Sequence, residues 1–350
     1  MHSEWCPTGA YRRSTQTTGS PVIGESSIQD SRGLTWCCEF GIVAGISIAF
    51  VMLNVSTAML YPPVNSDEVL FTDPAVNLAM GNGFRSSVWY TQPYNSVYAS
   101  NAPLYSLLLA AWIWVMGFTP VAVRTLNYIL MAIAAIVVWF SVANTGLIGS
   151  SRNRLLLLCA VLLGEGVALA YRMGRYDALG ILIVSLIWMV GMAQTTRQMR
   201  KALLLFLLGW LLILSGYQNA VFVVLITLLL FRTGRRRVLS VSAPVCLGMA
   251  CGMLCLLAAY YMLGSIGYLI GSLVHHGHTS RPCSQRVFAA LAAASKDHSS
   301  LFLLLACAVL ALRPQRAARY GRHPVWLALL VLIVMPAIMG FAWSFQDYYG

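Results

Sequence analysis

Apolar residues fall in long unbroken stretches along this chain, and that pattern sets the first expectation. Runs of spanning or near-spanning length lie at roughly 37–60, 121–143, 155–171, 178–196, 202–217, 219–231, 242–263, 300–312 and 324–343. A helix needs about 20 mostly apolar residues to cross about 30 Å of hydrocarbon. The pattern therefore predicts an all-α polytopic membrane protein with about nine transmembrane helices. The run from Pro103 to Gly117 is shorter and reaches only about 22 Å as a helix. It predicts a juxtamembrane or re-entrant helix over 103–118 in the first outer loop.

Composition agrees with the pattern. Hydrophobic residues make up 59% of the chain and charged residues 10%, a balance that a water-soluble core does not accommodate. The formal charge of +12 would suit a nucleic-acid partner if it formed a basic domain. Instead the arginines sit in short clusters between apolar runs and read as topology signals, so no nucleic-acid partner is expected. If 103–117 does not cross, 16 of the 23 basic residues share a side with the N-terminal arm and 7 lie opposite. If it crosses, the thirteen downstream members of that group move outward and the positive-inside rule fails. The non-crossing topology is the expectation, and it places 61–102, 172–177 and 264–299 outside the cytoplasm.

Residues 1–36 are polar and rich in Ser, Thr and Gly, which predicts a disordered cytoplasmic arm. No cleavable signal peptide is expected, because the first apolar run is long enough to remain as an anchor. The nine cysteines show neither zinc spacing nor a disulfide framework. No phosphate loop, dinucleotide motif or internal repeat is found. In the first outer loop, Asp73, Pro74 and Gly81 predict a helix of about two turns with Asp73 as its N-cap. Residues 82–105 then mix Asn, Gln, Ser and Arg with Trp89, Tyr90, Tyr94, Tyr98 and Tyr105, a composition that suits polyhydroxylated ligands and membrane interfaces alike.

Carboxylates are scarce enough for their placement to inform. Beyond the first span they are Asp67, Glu68, Asp73, Glu165, Asp177, Asp297 and Asp347. Asp67 and Glu68 lie shortly after the first span, where a lipid headgroup and a water-soluble acceptor meet. Such a pair can serve as a general base or as part of a metal site, and it can equally be an incidental start to a solvated loop. Asp177 follows Arg172 and Arg175 at the mouth between two spans, where interfacial anchoring is the simpler reading. Glu165 lies inside a span between two glycines, so it is either functional or a protonated acid bonded to a neighbouring helix. His275, His276, His278 and Cys283 read as a solvated loop rather than a metal site. Trp112, Trp114 and Trp139 read as packing or interfacial residues.

Four segments in order carry a resemblance: Asn-Ser-Asp-Glu at 65–68, Ala-Val-Asn-Leu-Ala-Met-Gly-Asn-Gly-Phe at 75–84, Asn-Ala-Pro-Leu-Tyr-Ser-Leu-Leu-Leu at 101–109 and Ala-Val-Arg-Thr-Leu-Asn at 122–127. Together with Gly-Arg-Tyr-Asp at 174–177 they resemble the polyprenyl-phosphate-dependent glycosyltransferases of the GT-C superfamily, the protein O-mannosyltransferases and lipid A aminoarabinose transferases above all. The resemblance covers about 60–190. It implies a GT-C-like membrane module over 37–263, followed by an outer loop at 264–299 and C-terminal transmembrane helices over 300–350.

It also implies a sugar moved from a polyprenyl-phosphate carrier to a lipid, glycan or protein acceptor, with inversion and with Asp67 of the Asp67 and Glu68 pair as base. Arg85, Arg124, Arg172, Arg175 and Asp177 are then the candidates for the donor phosphate, and Trp89, Tyr90, Tyr94, Tyr105 and Glu165 for substrate contact. A divalent cation between Asp67 or Glu68 and Asp177 stays open as a cofactor. The expected location is a cell membrane, cytoplasmic in a bacterium, with the active site on its extracytoplasmic side. Two further readings remain: a transporter or flippase for a lipid-linked substrate, and a non-catalytic scaffold related to these enzymes.

Overall fold

In the computed structural model the described residues are 25–277, apart from 61, 147, 194–196, 221, 224–226 and 228–234. They are mainly helical. The chain divides into two units between Ile42 and Val43. Of the arm expected at 1–36 to be disordered, residues 1–24 lie outside the described ones and 25–36 are helix instead, continuous with the apolar run that follows; all the packing that follows belongs to the second unit.

Among the described residues four helices are long and apolar enough to cross a membrane, which makes this a membrane-embedded helical protein. They are the Trp36–Ser56 part of α1 (Glu25–Ser56), α4 (Pro120–Thr145), α8 (Gln198–Ser215) and the Val238–Met262 part of α9 (Arg235–Met262). The expectation of nine is met only in part among the described residues. The runs at 300–312 and 324–343 lie outside them, and 219–231 lies partly outside. The run at 178–196 becomes α7 (Asp177–Met192), whose 16 residues extend about 24 Å. The run at 155–171 is not one helix. It divides into α5 (Ser151–Leu163) and α6 (Glu165–Arg172) at Gly164, whose φ of −62° and ψ of 129° are extended. The Tyr171 hydroxyl donates to the freed carbonyl of Leu162 at 3.0 Å, so the break is capped from within.

Local chemistry sets the helix ends. Thr119 caps α4 by accepting from Ala122 N at 3.0 Å, with Pro120 in the first turn and Gly146 left-handed at the far end. Helix α2 corrects an expectation. It runs Ser66–Ala79, and its N-cap is Asn65, whose side chain accepts from Glu68 N at 2.9 Å. Asp73 and Pro74 lie inside it. Asn-x-x-Glu at 65–68 is the stronger start signal, and it outweighs the Asp-Pro pair. The predicted stop holds: Gly81 at φ 82° receives the chain, with Gly81 N on Leu78 O at 3.1 Å and Asn82 N on Asn77 O at 2.9 Å, a Schellman closure.

The carboxylate of Asp73, freed from capping, anchors the outer loop instead. It accepts from Ser86 Oγ and Ser87 N, both at 2.8 Å, and from Asn77 Nδ2 at 3.3 Å. This fixes a short hairpin of β1 (Arg85–Ser86) and β2 (Ser96–Val97), antiparallel with Arg85 opposite Val97. Asn95 turns it at φ 56°.

Helix α3 (Leu104–Met116) has 13 residues, about 20 Å of helix. Near its start Ser106 Oγ donates to Phe71 O of α2 at 3.1 Å. Near its end Trp112 Nε1 donates to Ala122 O of α4 at 2.8 Å. Phe71 lies one turn beyond Glu68 and Ala122 half a turn before Arg124, and those two side chains pair with each other. Both halves of α3 are thus tied to the same end of the helix assembly.

The remaining helices close against each other through small residues. On α9, Gly248 and Gly252 meet α8, where a Cβ on Gly248 would overlap Phe206 O and one on Gly252 would stand 2.5 Å from Ile213 Cγ2. Across from them a Cβ on Gly209 would overlap Val245 O. Backbones approach this closely where no side chain intervenes. Helix α10 (Ile266–Gly277) ends the described chain.

Candidate functional site

The first outer loop, the start of α4 and the segment between α6 and α7 meet at one place. Glu68 is 3% exposed and Arg124 1%. Arg124 Nε reaches Glu68 Oε1 at 2.8 Å and Nη2 reaches Oε2 at 2.7 Å, the parallel fork that guanidinium and carboxylate make best. Arg124 Nη1 donates to Pro62 O at 2.9 Å and also to Ala58 O. Gly174 N adds a bond to Glu68 Oε1 at 3.1 Å. Both members are committed to protein partners, as a buried ion pair must be.

Asp67, one residue earlier on α2, faces the other way in both chemistry and exposure. Its Oδ2 accepts from Arg175 Nη1 at 2.9 Å, and the side chains are 19% and 29% exposed. Arg175 Nε also stands 3.0 Å from Asp177 Oδ2, on a side chain 30% exposed. One guanidinium therefore separates two carboxylates at the edge of the buried pair. Burial pushes Arg175 down, but Asp177, Tyr176 and Asp67 together hold it above its ordinary value. Burial also raises Asp177, with the Arg175 charge opposing. The Arg175 guanidinium occupies the space between Asp67 and Asp177, and among the described residues no group of three or more His, Cys, Asp and Glu could hold a metal ion.

The other candidates divide. Arg172 closes α6 and donates to the end of α1, through Nε to Asn54 Oδ1 at 3.2 Å and Nη2 to Thr57 Oγ1 at 3.4 Å. Arg85 belongs to the hairpin, where its Nη1 bonds Asn95 O at 3.4 Å. Trp89 is buried and touches Phe71 edge to face at 5.4 Å; Phe71 in turn meets Tyr176 at 4.8 Å. That relay connects the hairpin to the residue between Arg175 and Asp177. Tyr105 is fully buried, whereas Tyr90 and Tyr94 are 54% and 82% exposed. The backbone of Glu165 starts α6 just after the break. Trp139 packs in the core and Trp114 is exposed. His278 and Cys283 lie outside the described residues.

Two residues that sequence reasoning did not single out complete the site. Asn127 donates through Nδ2 to Met173 O at 2.5 Å and to Arg175 O at 2.8 Å. Gly174 leaves no room for a side chain: a Cβ there would lie 2.6 Å from Val123 Cγ1 and 2.9 Å from Glu68 Cγ. A signal existed for Asn127, which stands three residues after Arg124 and so on the same helix face. A comparison of the chain with protein-family models, with curated proteins and with solved structures finds no match.

Proposed function

We propose that this protein is an integral membrane glycosyltransferase that moves a sugar from a polyprenyl-phosphate carrier to an acceptor hydroxyl on the extracytoplasmic face. The observation that carries the reading is the Asp67, Arg175 and Asp177 cluster, partly open to solvent at one end of the apolar helices. Asp67 takes the acceptor proton as the new C–O bond forms at the anomeric carbon. The bond to phosphate breaks on the opposite face, so configuration inverts. Arg175 accompanies the departing lipid phosphate, where a fixed cation is worth most. In the resting site Arg175 holds Asp67; a donor phosphate that draws Arg175 away unmasks the base. Glu68 and Arg124 hold this arrangement together without reacting. Helix α3, tied at both halves to the same end, lies along the outer interface and does not cross.

A scaffold would leave Asp67, Glu68, Arg175 and Asp177 dispersed, and their gathering supports the enzyme. The break at Gly164 favours a second reading, since discontinuous helices line the substrate paths of transporters. Membranes carrying wild type or Asp67→Asn, given radiolabelled polyprenyl-phosphate sugars, separate the two. Transfer of label off the lipid by wild type and its loss by about 10² to 10⁴ in the variant supports the transferase. Lipid that crosses the bilayer with its sugar still attached supports transport.

A further inference from the structure

The first two turns of α4 touch both outer segments of the site, and they do so with side chains whose donors go almost wholly to the protein: four of the five N–H groups of Arg124 and both of Asn127. Arg124 binds the first segment at Ala58, Pro62 and Glu68. Asn127, fully buried, binds the second through both carbonyls that flank Gly174. An amide nitrogen has two hydrogens, and both are used. Gly174 N then bonds Glu68 Oε1, so one carboxylate oxygen serves both segments. Arg175 N folds back on Met173 O at 2.8 Å. Three consecutive residues, 173 to 175, are therefore pinned before the Arg175 side chain begins.

We propose that Asn127 and Gly174 are positioning residues: with Arg124 and Glu68 they clamp the two segments so that Arg175 meets Asp67 and Asp177 at ion-pair distance. The catalytic consequence rests on the transferase reading; the clamp itself does not. Gly174 is required because any side chain drives Val123 and Glu68 away and lifts the second segment from the first. Asn127 is required as a donor, which neither Leu nor Asp replaces.

The test removes the ion pair and asks whether the clamp still holds the segments together. Cysteines at both ends, Asp67→Cys with Arg175→Cys, are joined by a short bis-methanethiosulfonate reagent in purified, lipid-reconstituted full-length protein whose nine native cysteines are replaced by serine, with the 67–175 link quantified by peptide mass spectrometry and folding checked by gel filtration and circular dichroism. A high yield is expected with the clamp intact, a several-fold fall with Asn127→Leu or Gly174→Ala, and no change with Thr125→Val. Adding Val123→Ala to Gly174→Ala should restore part of the yield, because it removes the nearest clash. Unchanged cross-linking in folded Asn127→Leu and Gly174→Ala proteins overturns the proposal. In the transfer assay, Asn127→Leu with Asp67 and Arg175 in place should lower kcat by about 10²-fold and leave the donor KM near its wild-type value, the expected effect of misplacing a reacting group by about 1 Å. Failure of the transferase reading removes that second comparison and leaves the cross-linking result standing.

Discussion

Arg124 grips Glu68 through two near-parallel bonds of 2.8 and 2.7 Å while both side chains are almost wholly out of solvent. A pair so placed is unequal in what its loss does. Removing one member strands the other charge without water, an effect of about 3 to 5 kcal/mol. Replacing both with apolar groups of similar size is far milder. Glu68→Leu or Arg124→Leu alone should therefore lower thermal stability in lipid nanodiscs strongly, and the double variant should recover much of it. Additive losses in the double variant would count against the pairing as the source of the effect.

Much of this arrangement was legible in the sequence, and the rest has physical reasons for staying hidden. The spans at α1, α4, α8 and α9 could be read because an unbroken apolar run has few other solutions. The division at Gly164 could not, since Gly164, Glu165 and Gly166 stand in a run whose apolar length still reads as one span. Asp67, Glu68, Arg175 and Asp177 were picked out as acids and bases at one membrane face, and the structure brings them together. Their division of labour was not visible. Whether Glu68 or Asp67 points inward depends on which of two adjacent residues faces α4, and the helix start at Asn65 decides that.

Asp177 gives the site a pH signature. Burial raises its carboxyl, with Arg175 opposing, so the folded chain holds that proton more tightly than the unfolded chain. The sign follows by linkage. Its contribution to stability is complete below the ordinary carboxylate value of about 3.9 and is lost as pH rises through the raised folded value. Asp177→Asn has no such slope. Its melting temperature relative to wild type should therefore climb as pH is raised upward from about 4. A constant difference across that range, or one that falls, would refute the assignment.

Asp73 gathers three donors and holds the hairpin to α2. Asp73→Ala leaves Ser86 and the Ser87 amide to find water, at a local cost of about 1 to 3 kcal/mol. Global unfolding should change little, because Trp89 still packs the hairpin on Phe71 of α2 when the Asp73 bonds are gone. Hydrogen exchange across residues 85–97 should speed up selectively while α4 and α9 keep their protection. Uniform acceleration throughout the chain would show that Asp73 supports more than the hairpin.

Gly248 tests the close approach of α8 and α9 away from the site. Its Cβ position is occupied by Phe206 O, and Phe206 C and Trp210 N lie within 3.0 Å of it. Those atoms are backbone, so no rotamer change makes room and the helices must separate. Gly248→Ala should thus destabilise the protein by about 1 to 3 kcal/mol, the range for overpacking a filled interior. Gly267→Ala is the matched control, a helical glycine whose added Cβ meets nothing within 4 Å; losing a glycine there should be neutral or slightly stabilising. Thermal unfolding of both variants in the same nanodiscs decides the matter, and equal melting temperatures for the two would mean that α8 and α9 do not meet at Gly248.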